Sequence, residues 1–196
     1  MKNVIEMINR RVDGYGVKGA TVERKGADLV VVQLPKLEDT EAAIGLIGFT
    51  AVLEFKERTC LKTGSTVLPN GQVGDLCNLP ENHVDKEMGL TGSDLARTYP
   101  GTNSQTGKPV VNVQFNSRGA RIFGDMSTRL VNTPNRLVIF LDDVEIVAPV
   151  FNDVILGGSA IIEGPDFTPE RVRTICIQLN AAYPIPIRLV SRRSLA

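Results

Sequence analysis

Apolar residues recur at helical spacing in only a few windows of this chain. Val4, Ile5, Ile8 and Val12 fall at i, i+1, i+4 and i+8, so residues 2–13 are predicted to form an amphipathic helix stopped by Gly14 and Gly16. ATVERKGADLVVVQLP then holds two extended runs around the turn Lys25-Gly26-Ala27-Asp28, and Pro35 ends the second; this reads as a hairpin. LEDTEAAIGLIG places Leu37, Ile44 and Ile47 on one face, with Asp39 and Glu41 near the start where the helix dipole favours negative charge, predicting a second helix. TAVLEFKE alternates Val52 and Glu54 against Leu53 and Phe55, as a strand does. Residues 1–57 therefore read αββαβ.

From Cys60 to Met88 the apolar period dissolves among glycines, prolines and an Asn-Gly step, which marks an irregular insertion or a lobe boundary. Order returns with LTGSDL, a short capped turn, then an NSQTG turn and the alternating strand KPVVNVQF. NSRGARIFGDMSTRL sets Ala120, Phe123, Ser127 and Leu130 on one side of a helix capped by Asn116 or Ser117. NRLVIFL and VEIVAPV are two apolar, β-branched runs separated by Asp142-Asp143. FTPERVRTICIQLNAA opens a helix with Thr168 as N-cap and Pro169 at the first position; Val172, Ile175, Cys176 and Leu179 form its buried stripe, Cys176 as an ordinary buried thiol. Prolines keep the closing YPIPIRLVSRRSL extended. Helices and strands mix without strict βα alternation, so the expected class is α+β with mainly antiparallel sheets.

Composition narrows the function more than the fold. The 196 residues carry 22 basic and 22 acidic side chains and are 42% hydrophobic, which is the profile neither of a nucleic-acid binder nor of a disordered acidic tail. The longest apolar stretches, such as Leu29–Leu34 and Leu137–Leu141, fall far short of the roughly 20 residues a membrane helix needs. The first 14 residues carry charges inside the helical pattern rather than an uninterrupted apolar run, so no signal peptide is expected.

Candidate chemistry is sparse. Asp142 and Asp143 lie between two strands, and adjacent strand residues point to opposite faces, so the pair reads as a hairpin turn and not as catalytic carboxylates. His83, the only histidine, sits in a polar loop with no nucleophile motif to serve. Cys60, Cys77 and His83 lack the close ligand pairs that zinc requires. Cys60 and Cys77 bracket a polar glycine-rich loop and are candidates for a disulfide in an oxidising compartment, free thiols in a reducing one. The glycines of DGYGVKG and ILGGSA match no phosphate-binding loop, so neither cofactor nor metal is expected. After the hairpin, VFNDVILGG brings Phe151, Val154, Ile155 and Leu156 into a loop, and an apolar loop that is exposed marks a contact surface.

Taken in order, INRRVDGYGV, ATVERKGADLVVVQLP, DTEAAIGLIGFTAVLEFKE, LTGSDL, GKPVVNVQFNSRGARIF, NRLVIFLDDVEIVAPV, ILGGSAIIEG and FTPERVRTICIQLNAAYPIPIRLV resemble the first large extracytoplasmic domain of the SecD family. Its members are membrane subunits that work with SecF beside the bacterial protein-export channel, SecYEG. The resemblance implies a ferredoxin-like base lobe, residues 1–57 with 184–196, and an inserted α+β head lobe, residues 58–183, with the irregular insertion at 60–88. It implies a non-enzymatic role on the periplasmic side: holding an emerging unfolded preprotein and moving between positions, while the proton gradient is used through membrane helices absent from this chain. Phe151, Val154, Ile155 and Leu156 are then the candidate preprotein contact.

Three departures stand out. The family's upstream membrane helix and D-L-x-G-G strand are missing, so the chain reads as a soluble fragment. The 60–88 loop is longer than is common and bears cysteines. Asp143 stands where the family usually has glycine. The rival readings are a small-molecule-sensing module, which needs a well-formed pocket with convergent polar groups, and, behind it, a hydrolase, which needs clustered titratable groups in a cleft.

Overall fold

The N-terminal periodicity becomes helix α1 (Lys2–Tyr15) in a computed structural model that describes residues 2–35, 40–48, 50–182 and 187–193. Gly14 is its last residue but one, and Gly16, at φ +89°, supplies the left-handed turn that ends it. The chain continues through β1 (Thr21–Lys25), β2 (Leu29–Gln33), α2 (Thr40–Gly48), β3 (Leu53–Cys60), β4 (Ser65–Val67), β5 (Val73–Asp75), β6 (His83–Thr91), β7 (Leu95–Thr102) and β8 (Pro109–Phe115). Then follow α3 (Ser117–Leu130), β9 (Arg136–Leu141), β10 (Val144–Val147), β11 (Ser159–Ile162) and α4 (Pro169–Asn180). The architecture is α+β with mainly antiparallel pairing, as expected. Leu37, Asp39 and Pro184 fall outside the described residues.

Two compact units share the chain: Met1–Val52, Tyr99–Val111 and Phe167–Ala196 in the first, Leu53–Thr98 and Asn112–Asp166 in the second. In the first unit α1 buries Val4, Ile8 and Val12 against Val22, Val30 and Val32 of the β1–β2 hairpin and against Ile47 and Ile187. The hairpin register pairs Val22 with Val32 and Arg24 with Val30, so the period of two puts those valines on one face. Fully burying Val4, Ile8 and Val12 is worth about 1.5–3 kcal/mol each.

Arg11 lies on this helix too, fully buried, and its partners explain why. Its Nε donates to the Ala181 carbonyl at 2.9 Å, and its Nη2 donates to those of Thr50 (3.2 Å) and Gln178 (3.4 Å). Gln178 and Ala181 close α4, where carbonyls lack helical partners and the helix dipole is negative, so a guanidinium there acts as a cap supplied by another helix.

The second unit is built on a four-stranded sheet in the order β10-β9-β3-β6. Leu137, Val138 and Ile139 of β9 are all buried, so both faces of the sheet are covered there. On the face carrying Phe55 and Glu57 lies α3, whose Arg129 pairs with Glu57 at 2.8 Å. The opposite face carries Arg58 and Cys60, and Cys60 is joined by a disulfide to Cys77, with Cα atoms 5.1 Å apart. Asn116 caps α3 by accepting from the N–H groups of Arg118 and Gly119. Thr91 and Asp94 form a reciprocal capping box before β7. The described strands also form a two-stranded β4-β5 sheet and a three-stranded sheet, β11-β8-β7, whose β7 and β8 are divided between the two units.

Asp142 and Asp143 form the β9–β10 turn with φ of +49° and +65°, both left-handed, which is the two-residue hairpin geometry whose twist matches the flanking strands. Asp143→Gly removes the side-chain penalty at a position requiring positive φ. We expect it to stabilise the second unit by about 0.5 kcal/mol in urea unfolding.

The two units differ in extent from the expected lobes, with Leu53–Glu57 in the second unit and α4 in the first, and the lobes at 1–57 plus 184–196 and 58–183 stay an expectation of the resemblance. Other elements depart from expectation. β3 pairs with β9 on one side and β6 on the other, so the αββαβ front does not close on itself. The region expected to be irregular over 60–88 contains β4, β5 and the start of β6. Residues 187–193, part of the closing segment expected to be extended, form no strand, and Ile187 packs on the α1 core.

A candidate binding cleft in the second unit

Phenylalanines far apart in sequence meet here. Phe55 of β3 stands edge-on to Phe115 of β8 at 6.0 Å, Phe115 stacks on Phe123 of α3 at 4.7 Å, and Phe123 meets the edge of Phe151 at 5.7 Å. Each contact lies within the range where aromatic pairs attract beyond simple burial. Beside this row opens an apolar cleft of about 180 Å³, bounded by β8, β9, β11 and the segment Val147–Phe151, with Glu163 as its only charged lining residue. Val150 and Ile161 sit at its exposed margin.

The four loop residues singled out in the sequence separate. Phe151 is 7% exposed and belongs to the aromatic row, whereas Val154 and Leu156 are 43% and 74% exposed. Ile155 is half-buried, and its N–H donates to Ser127 Oγ at 2.9 Å while that hydroxyl donates to the Gly124 carbonyl. Gly124 makes room for this crossing, because a Cβ there would stand 3.3 Å from Leu156 Cδ2. Gly158, at φ +66°, closes the loop by accepting from Phe115 N–H at 2.9 Å. A segment that reads as loop is therefore stapled to α3 and β8. Val147, Val150 and Ile161 escaped the sequence reading; their only signal is an apolar residue at a strand end or on an edge strand.

The other candidates have structural placements. His83 donates from Nδ1 to the Cys77 carbonyl at 2.7 Å, which leaves Nε2 3.9 Å from Asp85 Oδ1. Arg58, 2% exposed, grips Asp85 bidentately at 2.7 and 2.8 Å and reaches Glu145 at 2.9 Å. That hydrogen bonding holds the Asp85 carboxyl below its ordinary value of 3.8 against burial, which pushes it up. Among the described residues no group of three His, Cys, Asp or Glu side chains is arranged to hold a metal ion.

Comparison with known proteins places this geometry. Residues 1–59 match the family model described as the protein translocase subunit SecDF, P1 domain, N-terminal. Residues 73–183 match the SecDF P1 head subdomain. The class is thus that of a protein-translocase domain. The chain belongs to the SecD family of translocase subunits and corresponds to its P1 region.

The translocase subunit SecD of Dictyoglomus turgidum is 32% identical over 196 residues, all of this chain and 42% of the relative. That of Sebaldella termitidis is 33% identical over 195 residues, 99% of this chain and 42% of the relative. A solved structure from work on SecDF, a membrane component that enhances protein export, superposes with a TM-score of 0.74 at 29% identity, covering 99% of this chain and 92% of that one. SecDF in a super-membrane-facing form gives 0.75 at 27% identity over 97% of this chain and 27% of that one. The chain spans about two fifths of the length of the curated relatives it matches. Among the described residues no helix is long and apolar enough to cross a membrane.

Proposed function

We propose that this chain is the periplasmic domain of a SecD subunit that holds an unfolded stretch of preprotein as it emerges from the SecYEG channel, in concert with SecF, during proton-gradient-driven late export. The observation that carries this reading is the apolar cleft floored by four phenylalanines, with Val150 and Ile161 exposed at its margin and Val154 and Leu156 exposed on the loop that follows Phe151. Such a lining has few polar groups with which to read one sequence, and it favours any extended segment that offers apolar side chains. The Cys60–Cys77 disulfide supports the periplasmic side, because disulfides persist in oxidising compartments. A base lobe of 1–57 with 184–196 and a head lobe of 58–183 remain part of this proposal. Phe151 then acts beneath the contact surface as its floor.

Small-molecule sensing is the weaker reading. The cleft, at about 180 Å³, is below the roughly 300–1,000 Å³ of ligand pockets, and Glu163 alone cannot supply convergent polar groups. The test is photo-crosslinking in the full-length translocase with an arrested preprotein, placing the probe at Val150, Leu156 or Ile161 and, for comparison, at Leu29. Crosslinks are expected from Val150 and Ile161 at the cleft margin and from Leu156 on the neighbouring loop, and not from Leu29. Crosslinks confined to residues 1–57 would overturn the assignment.

A further inference from the structure

We infer that residues 61–82 form a strap closed over the Arg58 face of the β3–β6 pair, latched there by the Cys60–Cys77 disulfide and opened by thiol–disulfide exchange. Residues 60–72 lie between the two family matches, and residues 73–82 fall within the head-subdomain match. The strap comprises the β4–β5 hairpin followed by the short turns Leu76–Asn78 and Pro80–Asn82. Its closed position brings little apolar burial at the hairpin. Val67 and Val73, paired across β4 and β5, are 72% and 76% exposed.

What ties the strap down is polar and limited. Asp75 pairs with Arg136, Asn78 Oδ1 accepts from Arg136 Nη1 at 3.4 Å, and the Cys77 carbonyl accepts from His83. Against these contacts stand two buried polar atoms, Asn82 Oδ1 and Arg136 Nε, to which no group among the described residues bonds. A buried polar atom without a partner opposes closure, because opening returns it to water. With polar contacts and orphaned groups in opposition, the covalent link decides the position. The strap's two ends stay joined at the β3–β6 ladder, where Leu61 N–H donates to the Asn82 carbonyl at 2.8 Å, so what the disulfide fixes is the fold-back of the 17-residue span from Cys60 to Cys77.

The bond is asymmetric to attack. Cys77 is fully buried, whereas Cys60 ends β3 with partial exposure. A thiolate of a dithiol reductant therefore attacks Cys60 Sγ; the S–S bond breaks and its electron pair leaves on Cys77 Sγ, which takes a proton from water. The reductant's second thiolate then displaces Cys60 as a thiolate, leaving two cysteine thiols and the reductant as its disulfide. With the latch open, the strap lifts and water reaches the seam of Arg58, Asp85 and Glu145.

Hydrogen exchange read by mass spectrometry on the full chain tests this, comparing the oxidised protein, protein treated with dithiothreitol, and Cys60→Ser/Cys77→Ser. Reduction is expected to speed exchange of amides in 61–82 about 100-fold, the scale of releasing a loop of this size, while amides of 137–139 in β9 keep their protection. Unchanged strap protection after reduction, confirmed by intact mass, overturns the latch. Equal acceleration in β9 overturns the strap as a separate element. Resistance of the native bond to dithiothreitol overturns opening by exchange. Should the double variant fail to fold, stepwise dithiothreitol treatment of the native chain supplies the same comparison.

Discussion

Arg58→Met is expected to destabilise the second unit by about 3 kcal/mol, the low end of the range for removing one partner of a buried ion pair. The low end applies because Asp85 keeps 20% and Glu145 40% of its side chain exposed, so water relieves part of the stranded charge. Two further measurements separate a stranded carboxylate from a lost attraction. Arg58→Met/Asp85→Leu is expected to recover most of the loss, since an apolar pair removes the unmatched charge; a double variant as unstable as the single one refutes that explanation.

The pH dependence gives the second measurement. In the native chain Asp85 titrates below 3.8, so its contribution is present above that pH and fades as pH falls through the depressed folded value. Without Arg58, burial is the largest influence left on the Asp85 carboxyl and raises it, opposed by His83 and Lys56, so it titrates higher than in the native chain. The variant then regains stability relative to native as pH falls toward 4, and the gap between the two urea midpoints narrows. A gap independent of pH would exclude the stranded carboxylate.

Arg11→Met is expected to cost the first unit about 3 kcal/mol through a different route. The guanidinium serves the Thr50 carbonyl and two carbonyls at the end of α4, those of Gln178 and Ala181, and methionine fills the volume but donates to none of them. Each buried acceptor left without its donor costs about 1–3 kcal/mol, moderated where, as at Gln178, the carbonyl also accepts from the Ala181 N–H. Exchange of α1 and α4 amides is the appropriate measurement, because a chain of two units need not unfold in one step. Arg11→Lys is expected to recover only part of the loss, as one ammonium cannot reproduce the planar fork. Full rescue by lysine would show that charge alone suffices.

Local periodicity made α1, α3, α4, β8 and the β9–β10 hairpin legible, because each carries its own apolar stripe or turn chemistry. β6 was hidden because its pairing with β3 is dressed in charge, with Lys56 bridging Glu54 and Glu87 and Arg58 gripping Asp85 where a strand search looks for apolar alternation. β7 was hidden by Pro100, which fits an edge strand but breaks the pattern, and β11 by its four-residue length. At the candidate site the apolar loop was visible and its exposure was not. Phe151 points into a row of rings contributed by residues 55, 115 and 123, and no short-range pattern reports a partner that distant.

The hydrogen bond from Ile155 to Ser127 gives the loop a mechanical inheritance. Val154 and Leu156 flank a residue tied to the last turn of α3, so they share the stiffness of a helix rather than the freedom of a connection. The disorder such a surface would surrender to a guest was lost when the chain folded, and a weak guest can be held without immobilising the host.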